Sequence, residues 1–274
     1  MSVLQEIVAR KRERLASAKL SVPPARMLEG AYVKRSRATG HRLLEALKPD
    51  GVNIIAEFKR KSPSKGVIRA DVDAASLARS YEAGGAVAIS VLTEEDYFGG
   101  SLDDLEEVKS AVQLPVLRKD FLFEEYQIYE SAAAGADAIL LIVASLEDTQ
   151  LSDLRCVAED ELRMDALVEV HDEHEMERAL AIGAGLIGVN NRNLHTFEVS
   201  LETSLRLAAN VLGDLTLISE SGLHQAKDLA TLQAVGYRGF LIGESLMRAE
   251  SPGEALRHLI AETVAGSVVK AGRE

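Results

Sequence analysis

Apolar residues gather in eight short, β-branched runs along the chain: Asn53–Phe58, Ala86–Leu92, Pro115–Lys119, Asp137–Val143, Asp165–Val170, Leu186–Asn190, Leu215–Ser219 and Tyr237–Ile242. Runs of this length that are apolar throughout mark strands buried on both faces. Between them the apolar positions switch to helical spacing, over Asp71–Ala83, Ser101–Val112, Glu124–Ala134, Leu146–Leu162, Asp172–Ile182, Ser200–Val211, Leu223–Val235 and Ser251–Ala265. Strand starts recur every 20 to 33 residues, the size of one β-α unit. In EAGGAVAIS, AAGADAILL, AIGAGLIGV and AVGYRGFLI a glycine separates helix from strand, where a left-handed turn is cheapest for that residue. Eight such units predict an α/β fold, a (β/α)8 TIM barrel. A doubly wound sheet would have fewer strands and a Gly-rich dinucleotide loop after the first, and no G-x-G-x-x-G follows Phe58.

Residues 1–50 precede the first strand. Val3, Leu4, Ile7, Val8 and Leu15 fall near helical spacing and predict a helix over Ser2–Ala18. A second is predicted over His41–Lys48, with Pro23–Pro24 breaking the chain between them. The segment is too short for a separate domain. It is expected as a helical extension packed on a catalytic barrel domain of residues 51–274. A transit peptide fits poorly, because Glu6 and Glu13 sit among the basic residues. The longest apolar run, Ala138–Ala144, falls far short of a membrane span.

Composition narrows the partners. Apolar residues make up 47% of the 274, enough for a core without disulfides, and the single Cys156 cannot form an internal one. A reducing, cytoplasmic location is expected. The net charge of −12 argues against nucleic acid and anionic membranes as partners. Any anionic ligand would need a local basic pocket. A small-molecule partner is expected rather than a polymer or a membrane, with the chain acting as a monomer.

In such a barrel the chemistry sits at the C-terminal ends of the strands. The first strand ends in AEFKRKSPSKG. Alternation puts Glu57, Lys59 and Lys61 on one face if the strand continues. Residues 57–65 hold four basic residues and one acid. With Ser62 and Ser64 they suggest an anion site, the alternative being a solvated loop of charges. In PVLRKDF, Lys119 points inward if Leu117 does. Lys119 is then a general acid or a Schiff-base nucleophile with a pKa lowered by burial, or else a rim lysine paired with Asp120. In LVEVHD, Glu169 is a candidate general base whose pKa burial would raise, or the partner of Lys119 or Lys59 in an ion pair. His171 and His174 are weak evidence for metal and read better as surface positions at a helix start. In GVNNRNL, Asn190 and Arg192 share a face, and Arg192 can clamp a carboxylate. ISESGL and FLIGESLM end adjacent strands with Ser221, Gly222, Gly243 and Ser245, suited to phosphate. Glu220 would lie beside that site, with Glu244 facing solvent. Phe98 and Gly99–Gly100 suggest a mobile loop over the mouth, or simple loop packing.

Taken in register, AEFKRKSPSKG, VLTEEDYFGGS, PVLRKDF, LVEVHDEHE, GVNNRNL, ISESGL and FLIGESLM resemble the indole-3-glycerol phosphate synthase family, over residues 51–265. The resemblance implies ring closure, decarboxylation and dehydration of 1-(2-carboxyphenylamino)-1-deoxyribulose 5-phosphate in tryptophan biosynthesis, with no cofactor and no metal. It implies that Lys119 is the general acid and Glu169 the general base. Lys59 would share the acid–base work, while Glu57 and Glu220 hold the lysines and the substrate. Asn190 and Arg192 would lie near the substrate's anthranilate end and hydroxyls. Ser62, Ser221, Gly222, Gly243 and Ser245 would bind its phosphate, and Phe98 and Phe121 are expected against the substrate. The competing readings are another phosphosugar barrel enzyme, either an isomerase or a Schiff-base aldolase using Lys119, and a barrel that binds such a ligand without turnover.

Overall fold

The computed structural model describes residues 3–63, 65–193, 196–209 and 215–271. Eight parallel strands close into a barrel: β1 (Asn53–Phe58), β2 (Ala88–Leu92), β3 (Val116–Lys119), β4 (Ala138–Ile142), β5 (Asp165–Val170), β6 (Leu186–Asn190), β7 (Thr216–Glu220) and β8 (Tyr237–Ile242). Each pairs with its neighbours in sequence, and β8 closes on β1 through Asn53↔Gly239 to Ala56↔Ile242. The predicted runs match these strands to within two residues at either end.

Alternation divides the core in two. Ile54, Ala56 and Phe58 face outward and pack with helices α4 (Ala74–Gly84), α5 (Leu102–Ala111), α6 (Glu125–Ala134), α7 (Asp148–Cys156), α8 (Glu173–Ala181), α9 (Glu202–Ala208), α10 (Ala226–Gln233) and α12 (Pro252–Ala271). Ile55, Leu117, Leu140, Leu167, Ile218 and Leu241 fill the inside. A one-turn helix α11 (Glu244–Arg248) follows β8 directly. The helix expected over Leu146–Leu162 changes character at Val157, where i→i+5 bonding takes over and Leu162 N donates to Val157 O at 3.1 Å. Val211, the expected end of the ninth helix, lies outside the described residues.

Three helices precede the barrel: α1 (Val3–Ser21), α2 (Pro24–Arg35) and α3 (Arg42–Leu47). The start expected for α1, Ser2, lies outside the described residues. The sequence pattern leaves out α2, for which Pro23–Pro24 is a start as well as a break. Pro24 occupies the first helical turn, where its missing N–H costs nothing. This helix buries Ala31 and Arg35 and packs along α6. Helix α3 plugs the N-terminal end of the barrel with Leu43 and Leu47. No helix among the described residues is long and apolar enough to cross a membrane.

Candidate active site

At the C-terminal end of the barrel the apolar filling stops. The last inward positions of β1, β3, β5, β6 and β7 are Glu57, Lys119, Glu169, Asn190 and Glu220, while β2 and β4 contribute Leu92 and Ile142. All of them line one cavity of about 610 Å³. Lys119 Nζ donates to Glu220 Oε2 at 2.7 Å and to Glu169 Oε2 at 3.0 Å. Lys59 pairs with Glu57. Asn190 helps favour the charged form of Glu169 and accepts the Arg192 backbone N–H at 3.0 Å. Two glycines make room for the carboxylates. A Cβ on Gly188 would lie 2.2 Å from Glu220 Oε1, and one on Gly243 would lie 2.3 Å from Glu57 Oε1.

Charge outweighs burial at Lys119 and Glu169 but not at Glu220. Burial works against the Lys119 cation, yet Glu169, Glu220 and Glu57 outweigh it and hold its pKa above the ordinary lysine value. The lowered pKa expected from desolvation alone is therefore reversed. So is the expectation for Glu169. Burial pushes it up, but Lys119 and His171 pull it below the usual carboxylate range. Glu220 is the carboxyl that burial lifts, since its share of Lys119 is offset by repulsion from Glu169 and Glu57. Its Oε1 is buried without a hydrogen-bond partner.

The rim adds polar groups on one side. Since β8 pairs with both β7 and β1, the segments carrying Ser221–Gly222, Gly243–Ser245 and Lys59–Ser62 are neighbours. Ser221 and Gly222 both have left-handed backbone, φ 65° and 78°, which turns the chain sharply above the cavity. Ser62 Oγ is buried and has no hydrogen-bond partner among the described residues. Phe98 and Phe121 also line the cavity, their rings 6.2 Å apart and tilted by 40°.

Comparison with known proteins puts this site in context. The fold is shared with a crystal structure of KGPDC from Streptococcus mutans, with a TM-score of 0.58 at 14% identity over 78% of this chain and 98% of that one. It is shared with thiamine phosphate pyrophosphorylase from Pyrococcus furiosus, with a TM-score of 0.55 at 15% identity over 78% and 96%. The family model for indole-3-glycerol phosphate synthase matches residues 4–259. The indole-3-glycerol phosphate synthase of Desulfosudis oleivorans is 48% identical over 261 residues, covering 94% of this chain and 98% of that protein. That of Desulfotalea psychrophila is 49% identical over 260 residues, again covering 94% and 98%. The chain belongs to the indole-3-glycerol phosphate synthase family. Its function is the family's, formation of indole-3-glycerol phosphate in tryptophan biosynthesis, and it is a carboxy-lyase.

Every residue expected at the synthase site lines the cavity: Lys59, Glu57, Lys119, Glu169, Asn190 and Glu220, and around them Ser62, Phe98, Phe121, Arg192, Ser221, Gly222, Gly243 and Ser245. Other expectations change. Lys61 does not share the face of Glu57, because β1 ends at Phe58 and Lys61 turns to donate to Asp96 O at 2.7 Å. Arg60 lies outside the barrel, paired with Asp104 and set over the Phe58 ring. The basic run is thus split, and only Lys59 and Lys65 from it reach the cavity. Ser64 lies outside the described residues. Lys119 does not pair with Asp120, whose carboxylate goes to Lys11 at 2.7 Å and Arg118 at 3.1 Å. The segment around Phe98 is pinned rather than hung loose, since Glu94 accepts the backbone N–H groups of Asp96, Tyr97 and Phe98. Glu244 is half-buried at the cavity rim and pairs with Arg248.

Two contributions to the synthase site escaped the strand-end reading. From α1, Val3, Leu4 and Ile7 line the cavity, and the apolar spacing there was the only local signal. His171 is not a surface residue. It lies behind Glu169, whereas His174 is exposed.

Proposed function

We propose that the cavity binds 1-(2-carboxyphenylamino)-1-deoxyribulose 5-phosphate and that Lys119 is the acid of the reaction. The observation that carries this reading is Lys119 itself, an inward ammonium held protonated by two carboxylates at 2.7 and 3.0 Å. As the aryl carbon attacks the ketone, Lys119 gives its proton to the ketone oxygen, which becomes a hydroxyl. Carbon dioxide then leaves, and its bonding pair restores the ring. The hydroxyl departs as water on taking a proton from the Lys59 ammonium, and Glu169, ionised, takes the proton lost from the adjacent ring carbon as the pyrrole double bond forms. Before decarboxylation the closed ring carries positive charge. Glu57, Glu169 and Glu220 set three carboxylates against the two ammoniums of Lys59 and Lys119, an arrangement that favours such a cation in a dry site.

Ser62, Ser221, Gly222, Gly243 and Ser245, with Lys59, hold the phosphate. Ser62 supports this directly, because a buried hydroxyl without a partner is set to donate to a ligand. Arg192 and Asn190 face the anthranilate end and the hydroxyls, and Phe98 and Phe121 flank the aromatic ring. A Schiff-base aldolase would need a neutral lysine, and the charges around Lys119 favour the ammonium. Residues 1–50 serve as an extension of one barrel domain, 51–274: α1 reaches the cavity mouth and α3 plugs the opposite end. The chain acts as a cytoplasmic monomer and needs no cofactor.

The test is turnover of the carboxyphenylamino-deoxyribulose phosphate, following indole absorbance and released carbon dioxide together. Both signals are expected from the wild-type chain and neither from Lys119→Ala. Isomerisation with the carboxylate retained, a borohydride-trapped adduct on Lys119, or binding without turnover would each overturn the proposal.

A further inference from the structure

Glu169 and Glu220 reach the same ammonium, yet their second oxygens differ. Glu220 Oε1 is buried without a partner. Glu169 Oε1 lies 3.4 Å from His171 Nε2, within ion-pair range though not aligned as a hydrogen bond. The other side of that ring is fixed. Glu175, in the first turn of α8, places Oε2 2.9 Å from His171 Nδ1 and accepts the His171 backbone N–H at 2.8 Å with the same oxygen. An ionised carboxylate can only accept, so Nδ1 carries a proton and Nε2 is the nitrogen presented to Glu169.

We propose that His171, oriented by Glu175, is a positioning residue that selects Glu169 rather than Glu220 as the base: its ring sets a cation against the outer oxygen of Glu169, and the outer oxygen of Glu220 has none. This rests on the synthase reading for the role of Glu169. The groups facing the imidazole are acidic on each side, Glu169 from β5, Glu175 from α8 and Glu220 from β7. Lys119 of β3 meets the other oxygen of Glu169, Oε2, at 3.0 Å. Burial opposes the charge on His171, but Glu175 and Glu169 outweigh it and raise its pKa. Without the imidazolium Glu169 loses one of the cations that favour its charged form and is protonated more of the time.

The experiment has two arms. In the first, the His171 imidazole is titrated by NMR in the substrate-free enzyme, its signal assigned by loss in His171→Gln. It should titrate above the free-histidine value of about 6.5 and move down in Glu169→Gln and in Glu175→Gln. In the second, pH profiles of kcat and kcat/KM are compared. His171→Gln keeps an N–H near Glu169 but removes the charge. It should shift the acid limb of kcat/KM upward by half a pH unit or more and lower kcat severalfold, with KM within twofold. Glu175→Gln should move the limb the same way by less, and the double variant should match His171→Gln. An imidazole that titrates at or below the free value, or a His171→Gln profile that superimposes on the wild type, overturns the inference. The first arm needs no turnover, so failure of the synthase reading and failure of this one are distinguishable.

Discussion

Asp165 and Glu169 stand on the same inward face of β5, four residues apart, and each is 3% exposed. Their surroundings send them in opposite directions. Asp165, at the plugged end, is met by backbone. Its Oδ2 accepts the N–H groups of Leu43 and Leu44 at 2.8 and 3.1 Å, capping α3, with His41 at 3.2 Å from Oδ1. Burial outweighs those dipoles and leaves its pKa above the ordinary value. Glu169, at the open end, is met by Lys119 and His171, which outweigh burial and leave it below. Asn53, also at the plugged end, spends its amide on the carbonyls of Leu47, Pro49 and Arg238. Polar groups there are consumed by the chain itself. At the open end they are held by one another, and Ser62 Oγ and Glu220 Oε1 have no hydrogen-bond partner among the described residues. The difference separates a carboxylate that builds from one that, in the proposed mechanism, reacts.

The largest expected effect breaks the comparison at both ends. Lys119→Ala should lower kcat/KM by at least about a thousandfold, the scale of losing an acid and its electrostatic field together. Asp165→Ala should leave the kcat of folded enzyme within about twofold and cost about 2–3 kcal/mol of stability in denaturant unfolding, since it strands buried N–H groups at a helix start. If Asp165→Ala silences folded enzyme, or Lys119→Ala does not, the two ends do not differ as described.

The next effect is one of slope with pH. The charge on Glu169, whose folded pKa is depressed, contributes stability above the unfolded value of 4.5 and loses it as pH falls toward the folded one. Asp165, with a raised pKa, contributes most below its unfolded value of 3.8 and loses that as pH climbs. The Tm deficit of Glu169→Gln should therefore shrink from pH 7 to pH 4. Asp165→Asn should improve relative to wild type as pH rises over the same range. Slopes of the same sign in the two variants would remove the electrostatic contrast.

The smallest effect compares two glycines of one barrel wall. Gly243→Ala puts a methyl 2.3 Å from Glu57 Oε1. It should lower kcat/KM about tenfold by displacing that carboxylate. Gly239→Ala meets Leu47 Cδ2 at 2.8 Å, the end of an adaptable side chain seated from α3. It should cost about 1–2 kcal/mol and leave kcat unchanged. Kinetics and unfolding on the two variants check both, and exchanged phenotypes would refute the assignment.

Much of the site could be read directly because a strand is periodic. Once eight apolar runs are recognised, alternation from Ile55, Leu117, Leu167 and Ile218 places Glu57, Lys119, Glu169 and Glu220 inside without any coordinates. What failed lay where no such period applies. Lys61 sits past the end of β1, α2 opens at a proline pair that reads equally as a break, and His171 follows the last residue of β5. Seven strand-end motifs in order also carried the family resemblance, although no one of them would have sufficed.

The sequence by itself determined the barrel, the inward position of each ionisable strand end and the kind of chemistry those groups could share, since side-chain period and chain order are local properties. Only the tertiary structure decided the partners. Glu169 and Glu220 lie 50 and 101 residues from Lys119. Barrel closure brings them to within 3.0 Å. Coulomb energy falls with distance and grows with burial, so the protonation of these groups is set by a separation that no single stretch of chain contains.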